Sequence, residues 1–375
     1  MIKVLNYSLL LVIGLICSQF LEGFNKDWIE LGIIFCLSFI MIHIGYEFEI
    51  DRLSPKQYAW DCLVAMTATI LPWLFCAGYF IWILQANSWA EALLLARFSS
   101  PTSAGVVFPM LAAAGLSATW VFRKARVLVI FDEIDATLVI IFLKMIMVGM
   151  KWQLGVIIVA IILLIWMAWL YEHSWRLPTS WPWVMLYAAL ISGLCEIIYL
   201  TSKATNHVVP LQLEVLIPAF VLGCMLARPA GHNPHIDDYR EGHQEGPEEP
   251  NEQRVSTIVG SCFMVLVGLS MPQIQLDTID WIFILPHVLF VTLLSNLGKM
   301  YPYIYYRKQK TVLERLALSM AMFPRGEAGV GVLLLSVGYG FSGVALTVTI
   351  LALILDLLLT GVYITAIKKL IGGNL

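Results

Sequence analysis

Charge is what this chain has least of. Asp, Glu, Lys and Arg make up only 13% of its 375 residues, against roughly a quarter in an ordinary soluble domain, and that scarcity excludes a conventional soluble fold. The two-residue alternation of barrel strands is missing, and the apolar runs are too long for such strands, which excludes a β-barrel. The seven cysteines (Cys17, Cys36, Cys62, Cys76, Cys195, Cys224 and Cys262) lie mostly inside apolar runs without metal-type spacing. They read as small packing residues, not as a disulfide frame or zinc site. No clear small-x-small cleavage site follows the first apolar stretch, so that stretch reads as a membrane helix and not a removed leader.

What remains is apolar length. Hydrophobic residues reach 59%, grouped in runs of about 20 residues, the length a ~30 Å hydrocarbon core requires. Twelve segments can be marked, at approximately 7–22, 28–47, 58–85, 90–115, 126–149, 153–171, 182–200, 208–227, 255–272, 279–305, 312–338 and 342–367. The expected fold class is an all-α polytopic membrane protein of about twelve transmembrane helices, with the lipid bilayer as its main partner and no nucleic acid.

Basic residues orient it. Sixteen Lys and Arg fall at the termini and the loops after even-numbered segments, while the opposite loops hold only Lys26, Lys151 and Lys203. By the positive-inside rule both termini are cytoplasmic. A polar stretch at 229–253, "PAGHNPHIDDYREGHQEGPEEPNEQ", reads as a solvated cytoplasmic linker, its histidines matching no standard metal spacing.

Two segments are broken in the middle. "ARFSSPTSAGVVFPML" puts Pro101, Gly105 and the hydroxyl residues Ser99, Ser100, Thr102 and Ser103 into segment four; "MAMFPRGEAGVGVLLL" puts Pro324, Gly326 and Gly329 into segment eleven. Pro removes a backbone donor and Gly weakens a helix. Non-helical backbone at membrane depth persists only where it is buried in protein or lines a cavity. By the charge count segment four runs inward and segment eleven outward, so segments three to five and ten to twelve form inverted repeats, each with a discontinuous crossing helix in second place. Paired interruptions of this kind point to a transporter's binding site.

Segment five carries "FDEID" at 131–135. Three carboxyl groups in hydrocarbon are costly, and such groups face a protein interior or water cavity. Na⁺ and similar hard cations take oxygen ligands. Adjacent helical residues point about 100° apart, so Asp132 and Glu133 can address different neighbours, with Asp135 near the face of Asp132. Burial and a like charge next door both favour the protonated form. A proton and a monovalent cation then compete for one site, and a carrier that moves only when occupied exchanges one for the other. The broken-helix residues Ser99, Ser100, Thr102 and Ser103 offer further oxygens, or cap half-helix ends. A membrane-embedded enzyme using paired acids and an anion-coupled symporter are the readings of other classes.

The order of "ARFSSPTSAGVVFPMLAAAGL", "FDEID", "NLGK" and "MFPRGEAGVG", with weaker echoes at 41–51 and 263–272, resembles the cation:proton antiporter superfamily, above all its bacterial sodium/proton exchangers. The resemblance implies a homodimer in the bacterial inner membrane that works as an elevator. Scaffold and dimerisation helices would lie at 1–57, 153–228 and 254–275, and a core of two ion-transport repeats at 58–152 and 276–375. It implies Na⁺, with Li⁺ or K⁺ as alternatives, exchanged for H⁺ without a cofactor. Asp132 and Glu133 would be the Na⁺ ligands and Glu133 the obligatory cation and proton site. Lys299 would compensate charge by pairing with Asp132 in the absence of a cation, although "YYRKQK" beyond it also suits a lysine snorkelling to the surface. Arg325 and Glu327 would compensate the half-helix ends.

The chain departs from that family in reading Asp-Glu at the pair. Asp135, Asp356 and Arg97 have no counterpart in its pattern. Potassium efflux antiporters are the nearer alternative; they read Gln-Asp at the pair and often carry a nucleotide-binding domain, for which the residues after 367 leave no room.

Overall fold

A computed structural model describes residues 2–20, 26–48, 55–149, 151–205, 214–227, 250–272, 280–326, 329–331, 333, 336, 341 and 343–372. Among the described residues the regular elements are all helical. In chain order they are α1 (Ile2–Phe20), α2 (Lys26–Glu47), α3 (Pro55–Trp82), α4 (Trp89–Ala96), α5 (Ala104–Ala113), α6 (Trp120–Val148), α7 (Trp152–Tyr171), α8 (Trp181–Thr205), α9 (Leu216–Met225), α10 (Pro250–Leu269), α11 (Trp281–Gly298), α12 (Tyr301–Tyr305), α13 (Val312–Ala321) and α14 (Val344–Gly372). Seven helices among the described residues are long and apolar enough to span a bilayer: α1, α2, α3, α7, α8, α14, and α11 with its continuation to Lys308.

Most segment boundaries fall where hydropathy puts them, and the differences have local causes. Segment ten is not one helix: α11 ends at Gly298 with Lys299 as its C-cap, and α12 starts afresh at Tyr301 with Pro302 in its first turn. Proline is suited to that place because its missing N–H has no helical partner there. The helix of segment nine starts at Pro250, inside the stretch read as linker; the rest of the linker, 229–249, lies outside the described residues.

Both broken segments are broken in the structure. Segment four is α4, a 3₁₀ turn over Arg97–Ser99, and then α5, whose N-cap is Ser103. Segment eleven is α13, opened by a capping box between Thr311 and Glu314, followed by non-helical backbone through Pro324 and Gly326. Helical backbone resumes at Gly329. Helix starts need acceptors for their orphan N–H groups, and Ser88, Ser103 and Thr311 each accept a bond from the first turn.

The chain divides into two compact units. The first comprises Met1–Ile29, Lys56–Leu143 and Met264–Leu375; the second comprises Glu30–Pro55 and Lys144–Phe263. The first unit thus contains both broken segments and α6 as far as Leu143. It also takes in α1, which the family resemblance implies to be scaffold; α1 packs on α14 and α5. In the second unit α7 packs on α9, Ser38 of α2 bonds Ser192 of α8 at 2.9 Å, and the His173 ring bonds the Leu226 and Phe48 carbonyls.

Candidate functional site

The two breaks meet in the first unit. The Ser103 amide donates to the Pro324 carbonyl at 3.0 Å, and the Thr102 hydroxyl donates to the Met322 carbonyl at 2.9 Å. Each break therefore satisfies backbone groups that the other leaves unpaired, which is how non-helical chain persists in a dry interior. The crossing is tight: a Cβ on Gly326 would stand 2.6 Å from the Ser103 Oγ.

Asp132 lies against this crossing, with no exposed surface. Its Oδ2 accepts the Thr102 backbone N–H at 2.7 Å. Lys299 Nζ, equally buried, donates to Oδ1 at 2.6 Å and to Oδ2 at 2.8 Å. The Thr69 hydroxyl from α3 donates to Oδ1 and also reaches the Ala65 carbonyl; its single proton serves one acceptor at a time. Charge-assisted bonds are the strong ones in such a setting. Lys299 points inward and carries no surface, which is the geometry of an ion pair and not of a snorkelling lysine.

The other expected site residues fall around this pair. Glu133 is 2% exposed and Asp135 7% exposed, both on α6. Ser100 donates to the Thr69 carbonyl at 3.3 Å. Ser99 bonds the Ala96 carbonyl and Ser103 accepts from the Val106 amide, so both fasten ends of the interrupted helix. Arg325, fully buried, donates to the carbonyls of Met322 and Phe323 in its own break and to that of Ser295 on α11. A guanidinium there complements the partial negative charge of a helix C-terminus. Glu327 lies outside the described residues.

Thr69 was not marked from the sequence. One of the two hydroxyls in "MTATILP", it looks like any helical threonine, and its only signal is Pro72 one turn later. That proline matters because a Cβ on Gly298 would stand 2.4 Å from Pro72 N and 2.6 Å from Pro72 Cα. The missing side chain lets α3 and α11 touch backbone to backbone, which brings Thr69 and Lys299 to the same carboxylate. Gly298→Ala is expected to force the two helices apart, costing about 1–3 kcal/mol as overpacking does, with a parallel loss of transport. Thermal melting and flux in liposomes check it; unchanged melting and flux would mean the contact is soft.

A second buried charge cluster was also missed, because Lys124 was counted as a loop residue. Lys124 Nζ donates to Asp61 Oδ2 at 2.6 Å, Tyr306 OH donates to Asp61 Oδ1 at 2.6 Å, and the ammonium sits 5.1 Å from the Tyr306 ring centroid. It ties the second turns of α3 and α6 to the chain after α12.

Comparison with known proteins agrees with this architecture. Two solved structures of the sodium proton antiporter MjNhaP1 from Methanocaldococcus jannaschii are similar. One, at pH 8, is 15% identical, with 98% of this chain and 91% of that chain covered and a TM-score of 0.59. The other, an electron-microscopy map, is 16% identical, with 97% and 91% covered and a TM-score of 0.60. At such identity the likeness is one of fold. No curated protein matches the chain significantly. The family model described as sodium/hydrogen exchanger, transmembrane, matches residues 2–370. A match over nearly the whole length, on a fold with two broken helices crossing beside a buried carboxylate, makes this chain a member of the transmembrane sodium/hydrogen exchanger family, whose members are transporters and not enzymes.

Proposed function

We propose that this protein exchanges a monovalent cation for protons across the cell membrane by alternating access, with Na⁺ as the first candidate and Li⁺ or K⁺ as alternatives. The observation that carries the reading is the Asp132–Lys299 pair at the crossing of the two breaks. An ion pair buried without water is costly to form and costly to break from one side. A cation arriving at Asp132 and Glu133 takes the place of the lysine ammonium, so one positive charge replaces another and the carboxylate is never left bare.

Oxygens for a hard cation are at hand in the two carboxylates. The Thr69 and Thr102 hydroxyls extend the set once Lys299 withdraws. Protonation of the same carboxylates expels the cation, and competition of this kind couples the two fluxes without another energy source. The first unit, holding both breaks, is the body that would move as an elevator. The second unit would be the scaffold and carry the homodimer contact. Both termini would face the cytoplasm, an orientation that labelling of introduced cysteines from either side would read.

The test is purified protein in liposomes with a trapped pH-sensitive dye, challenged with Na⁺, Li⁺ and K⁺ in turn. Alkalinisation or acidification that follows a Na⁺ gradient and is absent without protein is the expected result. Response to K⁺ alone would move the assignment to a potassium/proton antiporter, and response to none of the three would overturn it.

A further inference from the structure

The second repeat holds a buried carboxylate of its own. Asp356 is the thirteenth residue of the 29-residue α14, and Asp132 is the thirteenth residue of the 29-residue α6. Each helix follows the broken segment of its repeat. Asp132 meets a threonine of α3, the first helix of its repeat; Asp356 meets α11, the first helix of the other. Asn296 Nδ2 donates to Asp356 Oδ1 at 3.1 Å, and Ser295 Oγ lies 3.4 Å from Oδ2, its one proton shared with the Thr292 carbonyl at 2.9 Å. The chain has thus placed an acid at the equivalent point of both halves.

The two sites differ in how the charge is met. Asp132 has the Lys299 ammonium at hydrogen-bond distance. Asp356 is fully buried and, among the described residues, takes part in no ion pair. Arg325 is the fixed cation whose charge acts on it, yet that guanidinium hydrogen-bonds the backbone carbonyls of Met322, Phe323 and Ser295. A fully buried carboxylate met only by the neutral groups of Asn296, Ser295 and Tyr363 is costly, and the ordinary escape is to take up a proton. Two oxygens nearby are without a donor: Asn296 Oδ1 and Thr292 Oγ1, both more than nine-tenths buried. Thr292 and Asn296 are one turn apart on α11 and share a face. A protonated Asp356 would bring one O–H to the helix that carries these unpartnered oxygens.

The acid is also connected to the ion site. Ser295, which bonds Asp356, offers its carbonyl to Arg325; Arg325 bonds the Met322 carbonyl; the Thr102 hydroxyl bonds that same carbonyl, and the Thr102 amide bonds Asp132. Lys299 closes the loop three residues beyond Asn296 on the end of α11. Of the other ionisable groups around Asp356, Tyr363 lies on its own helix, hydrogen-bonded both to Asn296 and to Asp356, and Cys76 lies on α3. Glu314 and Arg315 of α13 bond Thr311 and Tyr303 instead, Glu91 of α4 bonds Asn87, and Arg97 bonds the Ala136 carbonyl. Lys3 of α1 is exposed, and α5 carries no charged residue.

We infer that Asp356 is a second proton-binding carboxyl of the transport unit, loaded and unloaded in concert with the Asp132 site through this loop of bonds. The inference rests on the antiport reading for its role in exchange, but not for the proton itself.

Infrared difference spectra of the purified full-length protein between acid and alkaline pH read the proton directly. A protonated-carboxyl C=O band is expected, lost in Asp356→Asn and moved in Asp356→Glu. The second variant keeps the experiment readable if the first fails to fold. In liposomes, Asp356→Asn should still exchange, with the pH dependence of its apparent KM for Na⁺ shallower by about a factor of ten per pH unit, the slope that one linked proton contributes. A merely structural role would lower the rate without changing that slope. A band of wild-type amplitude and position in both variants, or an unchanged slope, overturns the inference. Absence of any Na⁺-driven exchange in the wild type would refute the antiport reading instead, and the spectra would still decide the proton.

Discussion

Lys299→Gln should lower the thermal stability of the protein, and by more at alkaline than at acidic pH. The lysine is fully buried and holds both oxygens of Asp132. Removing one partner of a buried pair commonly costs about 3–5 kcal/mol, because the other charge is stranded. A proton on Asp132 cancels the stranded charge, so acid pH relieves the loss and alkaline pH exposes it in full. The double variant Lys299→Gln with Asp132→Asn strands nothing and should recover part of the stability. Melting curves over a pH series check this. Additive losses in the double variant, or a loss independent of pH in the single one, would show that the pair is not what holds the two residues in place.

Glu133→Gln should abolish cation-driven proton movement while the protein folds and melts as before. Glu133 is 2% exposed on the helix that carries Asp132, and an amide of the same shape removes a buried charge without leaving a cavity. Loss of an ionisable group at that depth does not weaken a helix whose carboxylate was itself costly. The proposed competition, by contrast, needs the carboxylate both as cation ligand and as proton acceptor. Dye-monitored exchange and a melting curve on the same preparation separate the two effects. Exchange at the wild-type rate would move the assignment to Asp132 or Asp135.

Much of this site was legible because its signals are local. A proline and glycines in the middle of an apolar run break a helix wherever that run is placed, and so Pro101 and Pro324 announced both breaks. Carboxyl groups in hydrocarbon need a reason, and so "FDEID" announced the helix that serves them. Hydropathy likewise located α1, α2, α3, α7, α8 and α14, with ends off by up to about five residues. It failed at segment ten, where Lys299 caps a helix that ends inside one continuous apolar run. Window averages do not register a cap.

What the linear order settled was the class of fold, the two interruptions and the identity of the acids, all of which follow from the solvation of single residues and the backbone preferences of Pro and Gly. What the tertiary structure alone decided was which groups face those acids. Thr69, Lys299 and Thr102 converge on Asp132 from three separate elements, and Asn296 and Ser295 meet Asp356 from another helix. Asp61 and Lys124 are 63 residues apart and yet share a bond. Such pairings depend on how closely two helices approach, and that distance is set at single points of contact, as where Gly298 admits the backbone of Pro72. A glycine in an apolar run looks the same whether it faces lipid or another helix, so its partner becomes known only when the helices are packed.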